Sequence, residues 1–284
     1  VMRELGLPAD QIRVMKTETD KIPNTSATAA SSGADLNGAA VAAACRILRE
    51  RLARVALALW GDPQGSPEGV VFADGQVTRG DLPTALALAH LCEQAYLRGT
   101  QLSATGFYRT PDLFYDRARG RGKPFHYFAC GAAVTEVELD GYTGMKKILR
   151  TDILHDVGDS LNPGIDRGQI EGGFVQGTGW LTGEELKWDA QGRLLTHSAS
   201  TYQIPSLSDA PMDFRVTLLP DAATRNTIHG SKAVGEPPLM LAISVREALR
   251  DAVAALRGAA PGEEVPLPSP ATHEQLFLHG RGLA

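Results

Sequence analysis

The sequence has few cysteines and no long apolar run. Cys45, Cys92 and Cys130 are widely spaced among 284 residues and form no Cys-x-x-Cys pair. This spacing excludes the usual iron–sulfur and zinc sites within the chain. An odd number of cysteines indicates reduced thiols and a cytoplasmic protein. Cys45 and Cys92 lie in helical apolar patterns, so both are expected in the core. No run approaches the roughly eighteen apolar residues of a membrane span, so no transmembrane helix is predicted.

The sequence also lacks an excess of positive charge. The formal net charge is -5, and the one basic cluster, residues 117–123, lies among glycines and is interpreted as a solvated loop. A sequence-independent nucleic-acid binder would show a dense Lys/Arg patch, so this class is excluded. Hydrophobic residues make up 43% and charged residues 21%, which is typical of a globular protein.

The order of hydrophobic patterns predicts an α+β fold, in which helices pack mixed sheets of short strands and hairpins. The predicted strands are 11–17, a hairpin at 69–77 closed by Asp74-Gly75, 125–139 paired with 145–152, and 212–219; the predicted helices are 35–60, 82–98 and a last helix from Pro237 to Gly258. We expect a first part at 1–115, a second at 116–258 and a tail at 259–284. The start, Val1-Met2-Arg3-Glu4-Leu5-Gly6, is typical of a helix end, so we expect a fragment of a larger polypeptide.

The stretch Gly230–Pro238 (GSKAVGEPP) places one carboxylate, Glu236, where a helix is predicted to start. Proline is pre-set for a first helical position. A helix N-terminus carries partial positive charge, which favours an anion there and suits a general base. The alternative is that Glu236 is only a helix-start anion, and the stretch alone does not decide between the two.

Two further stretches are rich in small residues. Residues 20–33 precede the first long helix, where they could let backbone N–H groups approach an anionic cofactor, or could be loop and N-cap alone. Residues 165–181 follow a helix-start signal at Asn162-Pro163 and contain five glycines, each costing about 1 kcal/mol in an ordinary helix. Close approach of another backbone or of a bulky cofactor would explain them. No metal site is predicted at His155-Asp156, because no third ligand follows at a usual spacing.

Three motifs, in their order along the chain, together resemble those of a known protein family. They are Thr19–Gly33 (TDKIPNTSATAASSG), Gly172–Gly177 (GGFVQG) and Ser231–Pro238 (SKAVGEPP), and the similarity continues through Gly106–Pro111, Arg150–Asp152, Asp156–Gly158 and Pro268–Thr272. Together these motifs resemble the molybdenum-binding subunit of the xanthine dehydrogenase/aldehyde oxidase family, over nearly the whole chain. The sequence NTSATAAS at 24–31 resembles the purine-oxidising branch of the family more closely than the aldehyde-oxidising branch.

The resemblance implies that the chain is roughly the C-terminal third of a molybdopterin-binding subunit. In this family a pterin dithiolene, an oxo, a sulfido and a hydroxyl or water ligand hold the molybdenum, without a direct protein ligand. The implied reaction oxidises hypoxanthine or xanthine to xanthine or urate. A metal-bound hydroxyl attacks a ring carbon, and hydride passes to the sulfido ligand.

The resemblance also assigns roles to particular residues. Glu236 would take the proton from the attacking hydroxyl, beside the molybdenum. Ala30, Ser31, Gly33 and Gln176 would bind the cofactor, while Ala29 and Ala30 would line the substrate pocket. Lys232 would help to orient the Glu236 turn.

The implied partners lie outside this chain. Electrons would pass to 2Fe-2S centres, FAD and NAD on other segments or subunits, in a dimer of the full cytoplasmic assembly. The family's upstream Glu, Arg and stacking Phe pair for purines have no counterpart here. Two alternatives therefore stay open: an aldehyde or other N-heterocycle oxidoreductase on the same scaffold, or a non-catalytic segment that only cradles the cofactor.

Overall fold

The computed structural model describes residues 1–20, 29, 31–80, 85–260 and 262–283. Within those ranges, no helix combines the length and apolar character needed to cross a membrane. The chain divides into two units, Val1–His126 and Tyr127–Ala284, each with its own buried apolar cluster. Both units mix helices with small sheets, which confirms the predicted α+β class.

The first unit is built on a long helix. Its helices are α1 (Met2–Leu5), α2 (Gly33–Leu59) and α3 (Leu88–Leu97), and its strands are β1 (Val70–Ala73), β2 (Gln76–Arg79), β3 (Leu86–Ala87), β4 (Phe114–Asp116) and β5 (Arg121–Lys123). Strands β1, β2 and β3 form one antiparallel sheet, with the predicted hairpin at Asp74-Gly75, and β4 pairs with β5. Gly6 ends α1 with φ 61°, as expected for a helix end.

The core of the first unit lies between α2, α3 and the three-stranded sheet. Leu57, Val70 and Leu91 are fully buried in it. Cys45 is buried, as predicted, whereas Cys92 is only partly buried against this core. All three cysteines are free thiols, and burial raises the pKa of Cys45 and of Cys92.

Two predictions in the first unit are wrong. The strand predicted at 11–17 does not form: Gln11 ends a short 3-10 helix, Val14 and Met15 are exposed, and no strand pairs with that described segment. The helix predicted from residue 82 begins only at Leu88. Residues 86–87 pair instead with β2, and residues 81–84 lie outside the described part of the chain.

The second unit packs three helices against a mixed sheet. Its elements are β6 (Gly131–Leu139), β7 (Lys146–His155), α4 (Pro163–Thr182), β8 (Asp213–Leu218), α5 (Ile243–Arg257) and α6 (His273–Gly280). The strand order is β6-β7-β8, with β6 antiparallel and β8 parallel to β7. The strand predicted from residue 125 thus begins at Gly131, and α6 was not predicted. Short 3-10 helices cover Ala9–Gln11, Pro67–Gly69, Leu207–Asp209, Ile228–Gly230 and Pro237–Ala242.

Local sequence explains the position of α4. The Asn162 side chain accepts hydrogen bonds from Gly164 N at 3.2 Å and Ile165 N at 3.3 Å, and Pro163 occupies the first helical position. Phe174, at the middle of the helix, is fully buried, and its ring lies 5.3 Å from that of Phe214 on β8. The predicted start at Asn162-Pro163 is therefore confirmed.

Candidate active site

Glu236 stands at the start of a helix, as predicted. It is the N-cap of the 3-10 helix Pro237–Ala242, which continues into α5 and ends at Gly258 with φ 65°. The Glu236 side chain is exposed and makes no cap hydrogen bond to that helix. Its carboxylate is thus available for a ligand or substrate.

The segment before Glu236 is fastened to the end of β7. Gly158 and Ser231 form an antiparallel bridge, and Lys232 N donates to Val157 O at 2.8 Å. Gly158 has φ 62°, and a Cβ at this position would lie 2.3 Å from Gly230 O. Only glycine satisfies both conditions, so the Asp156-Val-Gly158 motif serves this close approach.

A nearly buried ion pair reinforces this attachment. Lys232 Nζ bonds to Asp156 Oδ2, and the two side chains are 11% and 10% exposed. Lys232 Nζ also donates to Phe128 O at 2.9 Å, and Ala233 N donates to Tyr127 Oη at 2.7 Å. Both motifs, around Asp156 and around Lys232, are part of the family resemblance. Their sequences do not predict that the two side chains pair across 76 residues.

Helix α4 packs closely against the helix start that follows Glu236. A Cβ at Gly173 would lie 3.1 Å from Pro238 Cβ, and one at Gly177 would lie 2.2 Å from Leu239 O. Real Cβ atoms essentially never come as close as 2.2 Å, whereas a contact of 3.1 Å requires the neighbour to give by a few tenths of an ångström. Close approach of another backbone, one of the two predicted explanations, therefore accounts for Gly177, whereas close packing of the Pro238 side chain accounts for Gly173.

The other three glycines at 165–181 have different surroundings. A Cβ at Gly179 would meet the Pro205 ring at 2.4 Å, whereas one at Gly168 or at Gly172 would meet nothing within 4 Å. Gly168 and Gly172 are exposed, and so is Gln176, one helical turn further on. This part of α4 is an open surface that bears a side-chain amide.

The sequence also predicted cofactor contacts before α2. Ala29 is exposed, Ser31 and Gly33 are partly buried, and Ser31 has a left-handed φ of 53°. The Ser32 hydroxyl makes no cap bond to α2 and donates instead to Ala29 O at 2.8 Å. Ala30 and residues 21–28, which carry most of this motif, lie outside the described residues.

The predicted site residues fall in both units. Glu236 and Gln176 belong to Tyr127–Ala284, on elements that pack together through Gly173 and Gly177. Ala29, Ser31 and Gly33 belong to Val1–His126.

Each unit, taken by itself, has a segment whose chemistry suits a pterin cofactor. The first N–H groups of α2 point out of a 27-residue helix whose N-cap hydroxyl bonds elsewhere, an arrangement that suits an anionic group. At Gly172 and Gln176, an open glycine surface adjoins an amide that both donates and accepts hydrogen bonds. Across the described ranges, no group of three His, Cys, Asp or Glu side chains is arranged to hold a metal ion.

Known proteins place the chain in a family. A family model described as "Molybdopterin cofactor-binding domain" matches residues 1–211. The "Xanthine dehydrogenase/oxidase" of Mus musculus is 45% identical over 278 residues, covering 96% of this chain and 19% of the relative. "Aldehyde oxidase 2" of Macaca fascicularis is 42% identical over 277 residues, covering 97% of this chain and 19% of the relative. The chain therefore spans about a fifth of the length of the curated relatives it matches.

Solved structures share the fold. The Cu,Mo-CO dehydrogenase aligns with 99% of this chain and 33% of its own, at a TM-score of 0.80 and 24% identity. Quinoline 2-oxidoreductase from Pseudomonas putida 86 aligns with 89% of this chain and 30% of its own, at a TM-score of 0.74 and 27% identity. Since the family model covers most of the chain, the chain belongs to the molybdopterin cofactor-binding domain family, as a molybdenum-binding segment of the xanthine dehydrogenase kind.

Proposed function

We propose that this chain supplies the proton-accepting carboxylate and part of the cofactor site of a molybdenum hydroxylase that oxidises hypoxanthine and xanthine. The observation that carries the proposal is the exposed Glu236, on a helix start that packs against α4 and whose preceding segment is bonded to residues 156–158, just after β7. The purine substrates are supported by the relatives named xanthine dehydrogenase/oxidase, at 45% identity in mouse and 44% in Gallus gallus.

Glu236 has the properties of a general base. The residue is exposed and its side chain makes no cap bond, so the carboxylate can accept a proton from a bound reactant. The molybdenum cofactor, when bound, would transfer oxygen to the substrate carbon and accept electrons from the substrate. Glu236 accepts the proton that the oxygen nucleophile loses, and the fixed helix start holds its backbone in place during this step.

The remaining assigned residues bind and orient. Gln176 would hydrogen-bond the cofactor through its exposed amide, beside the open surface at Gly172. Ser31 and Gly33, with Ala30, would hold the pterin through backbone N–H groups at the start of α2. Ala29 and Ala30 would line the substrate pocket, where small side chains leave room for a flat ring.

An aldehyde substrate is the second candidate. The macaque aldehyde oxidase relative is 42% identical, within a few per cent of the xanthine dehydrogenase relatives. The base and cofactor roles are the same in both cases. The difference lies in what fills the substrate pocket, to which this chain contributes Ala29 and Ala30. The third candidate, a segment that only cradles cofactor or mediates assembly, leaves Glu236 without a chemical role.

The proposed assembly is larger than this chain. The relatives are about five times as long as this chain. We propose that the remaining length includes further molybdenum-subunit residues and the segments that bind 2Fe-2S, FAD and NAD. We also propose that the full assembly is a dimer in the cytoplasm. The division into 1–115, 116–258 and a tail is kept as part of this proposal.

The experiment uses the full polypeptide with its partners. Molybdenum and pterin content are measured, and turnover is compared on xanthine, hypoxanthine and an aromatic aldehyde. We expect one molybdenum for each chain and the highest kcat/KM on purines. Preference for the aldehyde would favour the second candidate. Full cofactor content without turnover on any substrate would favour the third.

A further inference from the structure

The family resemblance implies that Lys232 helps to orient the Glu236 turn, but it assigns no role to Asp156, with which Lys232 forms an ion pair. Both side chains are nearly buried, and their remaining bonds stay within the protein: Lys232 Nζ to Phe128 O at 2.9 Å, and Gly158 N to Asp156 Oδ1 at 2.9 Å. Burying two charges costs desolvation that their attraction only roughly offsets, so such a pair is weak evidence for stability. A geometric role accounts better for it.

The bonds of this pair restrain one short segment from several directions. Lys232 is held through its side chain by Asp156 and through its backbone N–H by Val157 O at 2.8 Å. The next residue, Ala233, donates its N–H to Tyr127 Oη at 2.7 Å, and Val234 is buried in the core. Glu236 follows two residues later. The segment can therefore not shift relative to residues 156–158 without breaking several bonds at once.

We propose that Asp156 is a positioning residue for Glu236, acting through Lys232, and that Tyr127 provides the second tie at Ala233. The proposal rests on the proposed role of Glu236 as proton acceptor. Asp156 fixes the Lys232 side chain, which fixes the backbone from which the Glu236 carboxylate projects. A displacement of about 1 Å at a reacting group can lower the rate by about 10²-fold. Loss of this tie therefore lowers kcat rather than substrate binding.

The test compares Asp156→Asn with Asp152→Asn in the full, cofactor-loaded protein. Asp152 lies on β7, four residues before Asp156, and accepts two bonds from Arg150, at 2.6 and 2.9 Å, but its side chain is 42% exposed. The two variants thus remove the same charge from a buried and from an exposed ion pair. We expect Asp156→Asn to lower kcat by about 10²-fold with KM and molybdenum content retained, and Asp152→Asn to leave kcat within about twofold.

A readout independent of turnover is amide hydrogen exchange at residues 232–236. The proposal predicts faster exchange in this segment in Asp156→Asn and unchanged exchange in Asp152→Asn, because only the first variant frees the segment. Unchanged exchange in Asp156→Asn would overturn the proposal. So would faster exchange accompanied by a normal kcat, since the segment would then be free without consequence for Glu236.

Two further variants keep the test decisive if Asp156→Asn does not fold. The double variant Asp156→Asn/Lys232→Met leaves no buried charge, so melting temperature should recover while kcat stays low. Recovery of both would mean that the pair is only structural. Tyr127→Phe removes the hydroxyl that accepts from Ala233 N, and should lower kcat by about two- to tenfold with the cofactor retained. Normal kcat in both Tyr127→Phe and the double variant would overturn the proposal.

A Glu236→Gln protein distinguishes failure of this inference from failure of the proposed function. Lost turnover in Glu236→Gln with normal kcat in Asp156→Asn refutes the positioning role alone. Normal turnover in a fully loaded Glu236→Gln refutes the proposed function and the positioning role with it. The hydrogen-exchange comparison then still shows whether Asp156 anchors the segment.

Discussion

Two glycines on one helix should respond in opposite ways to the same added methyl group. In α4, Gly177→Ala places a Cβ 2.2 Å from Leu239 O and 2.8 Å from Ala242 Cβ, whereas Gly172→Ala places one in open space. Ordinary contact begins at 3.4 Å, so the helix start after Glu236 must move by about 1 Å in Gly177→Ala. Overpacking of this kind costs about 1–3 kcal/mol.

The helix propensity of alanine adds about 1 kcal/mol of stability at both positions, so it cancels between the two variants. Gly172→Ala should therefore exceed Gly177→Ala in free energy of unfolding by about 1–3 kcal/mol, when urea unfolding of the cofactor-free polypeptide is followed by circular dichroism. Equal stability would refute the packing account of Gly177. In the loaded enzyme, Gly177→Ala should also lower kcat, because Glu236 moves with the helix start.

The remaining predictions concern stability. Asn162→Ala should lower the free energy of unfolding by about 1 kcal/mol in urea titrations, whereas Asn162→Asp should retain most of it, because only alanine lacks an acceptor for Gly164 N and Ile165 N. Burial lowers the pKa of His155 below 6.5, with Asp156 opposing and Lys232 reinforcing the shift. The unfolded chain then binds a proton at this histidine more readily than the folded chain. The contribution of His155 to the free energy of unfolding is therefore complete above about pH 6.5 and is lost as pH falls towards the lowered pKa. Melting temperatures between about pH 7.5 and 5.5 should fall more for the native protein than for His155→Gln.

Local signals were enough to predict much of the fold. Asp74-Gly75 closes a hairpin, Asn162-Pro163 starts α4 and Gly258 ends α5, because each depends on the backbone preferences of one or two residues. Helix α6 also had such a signal: Thr272 accepts from Gln275 N, in the pattern Thr-x-x-Gln of a capping box. No helix was predicted in the tail at 259–284, because its first part, Pro261–Pro270, is rich in proline.

Features that depend on distant partners could not be predicted. The alternation at 11–17 suits a strand, yet a strand also needs a neighbour to pair with, and Val14 is 88% exposed. The five glycines at 165–181 look alike in sequence, but packing divides them into Gly177 against backbone, Gly173 and Gly179 against proline side chains, and two in open space. Glu236 itself was assigned by family resemblance, and the bonds that hold its turn appear only in the fold.

The most direct test of the proton-accepting role is Glu236→Gln in the fully loaded protein, with Glu274→Gln as matched control. Glu274 is also an exposed glutamate, in the first turn of α6. With xanthine in excess, the rate of cofactor reduction is measured in a single turnover by stopped-flow absorbance. A general base accounts for about 10²–10⁴-fold of the rate, so Glu236→Gln should slow reduction by that factor at unchanged molybdenum content, while Glu274→Gln should be normal. Reduction at the native rate in a fully loaded Glu236→Gln would contradict the assignment.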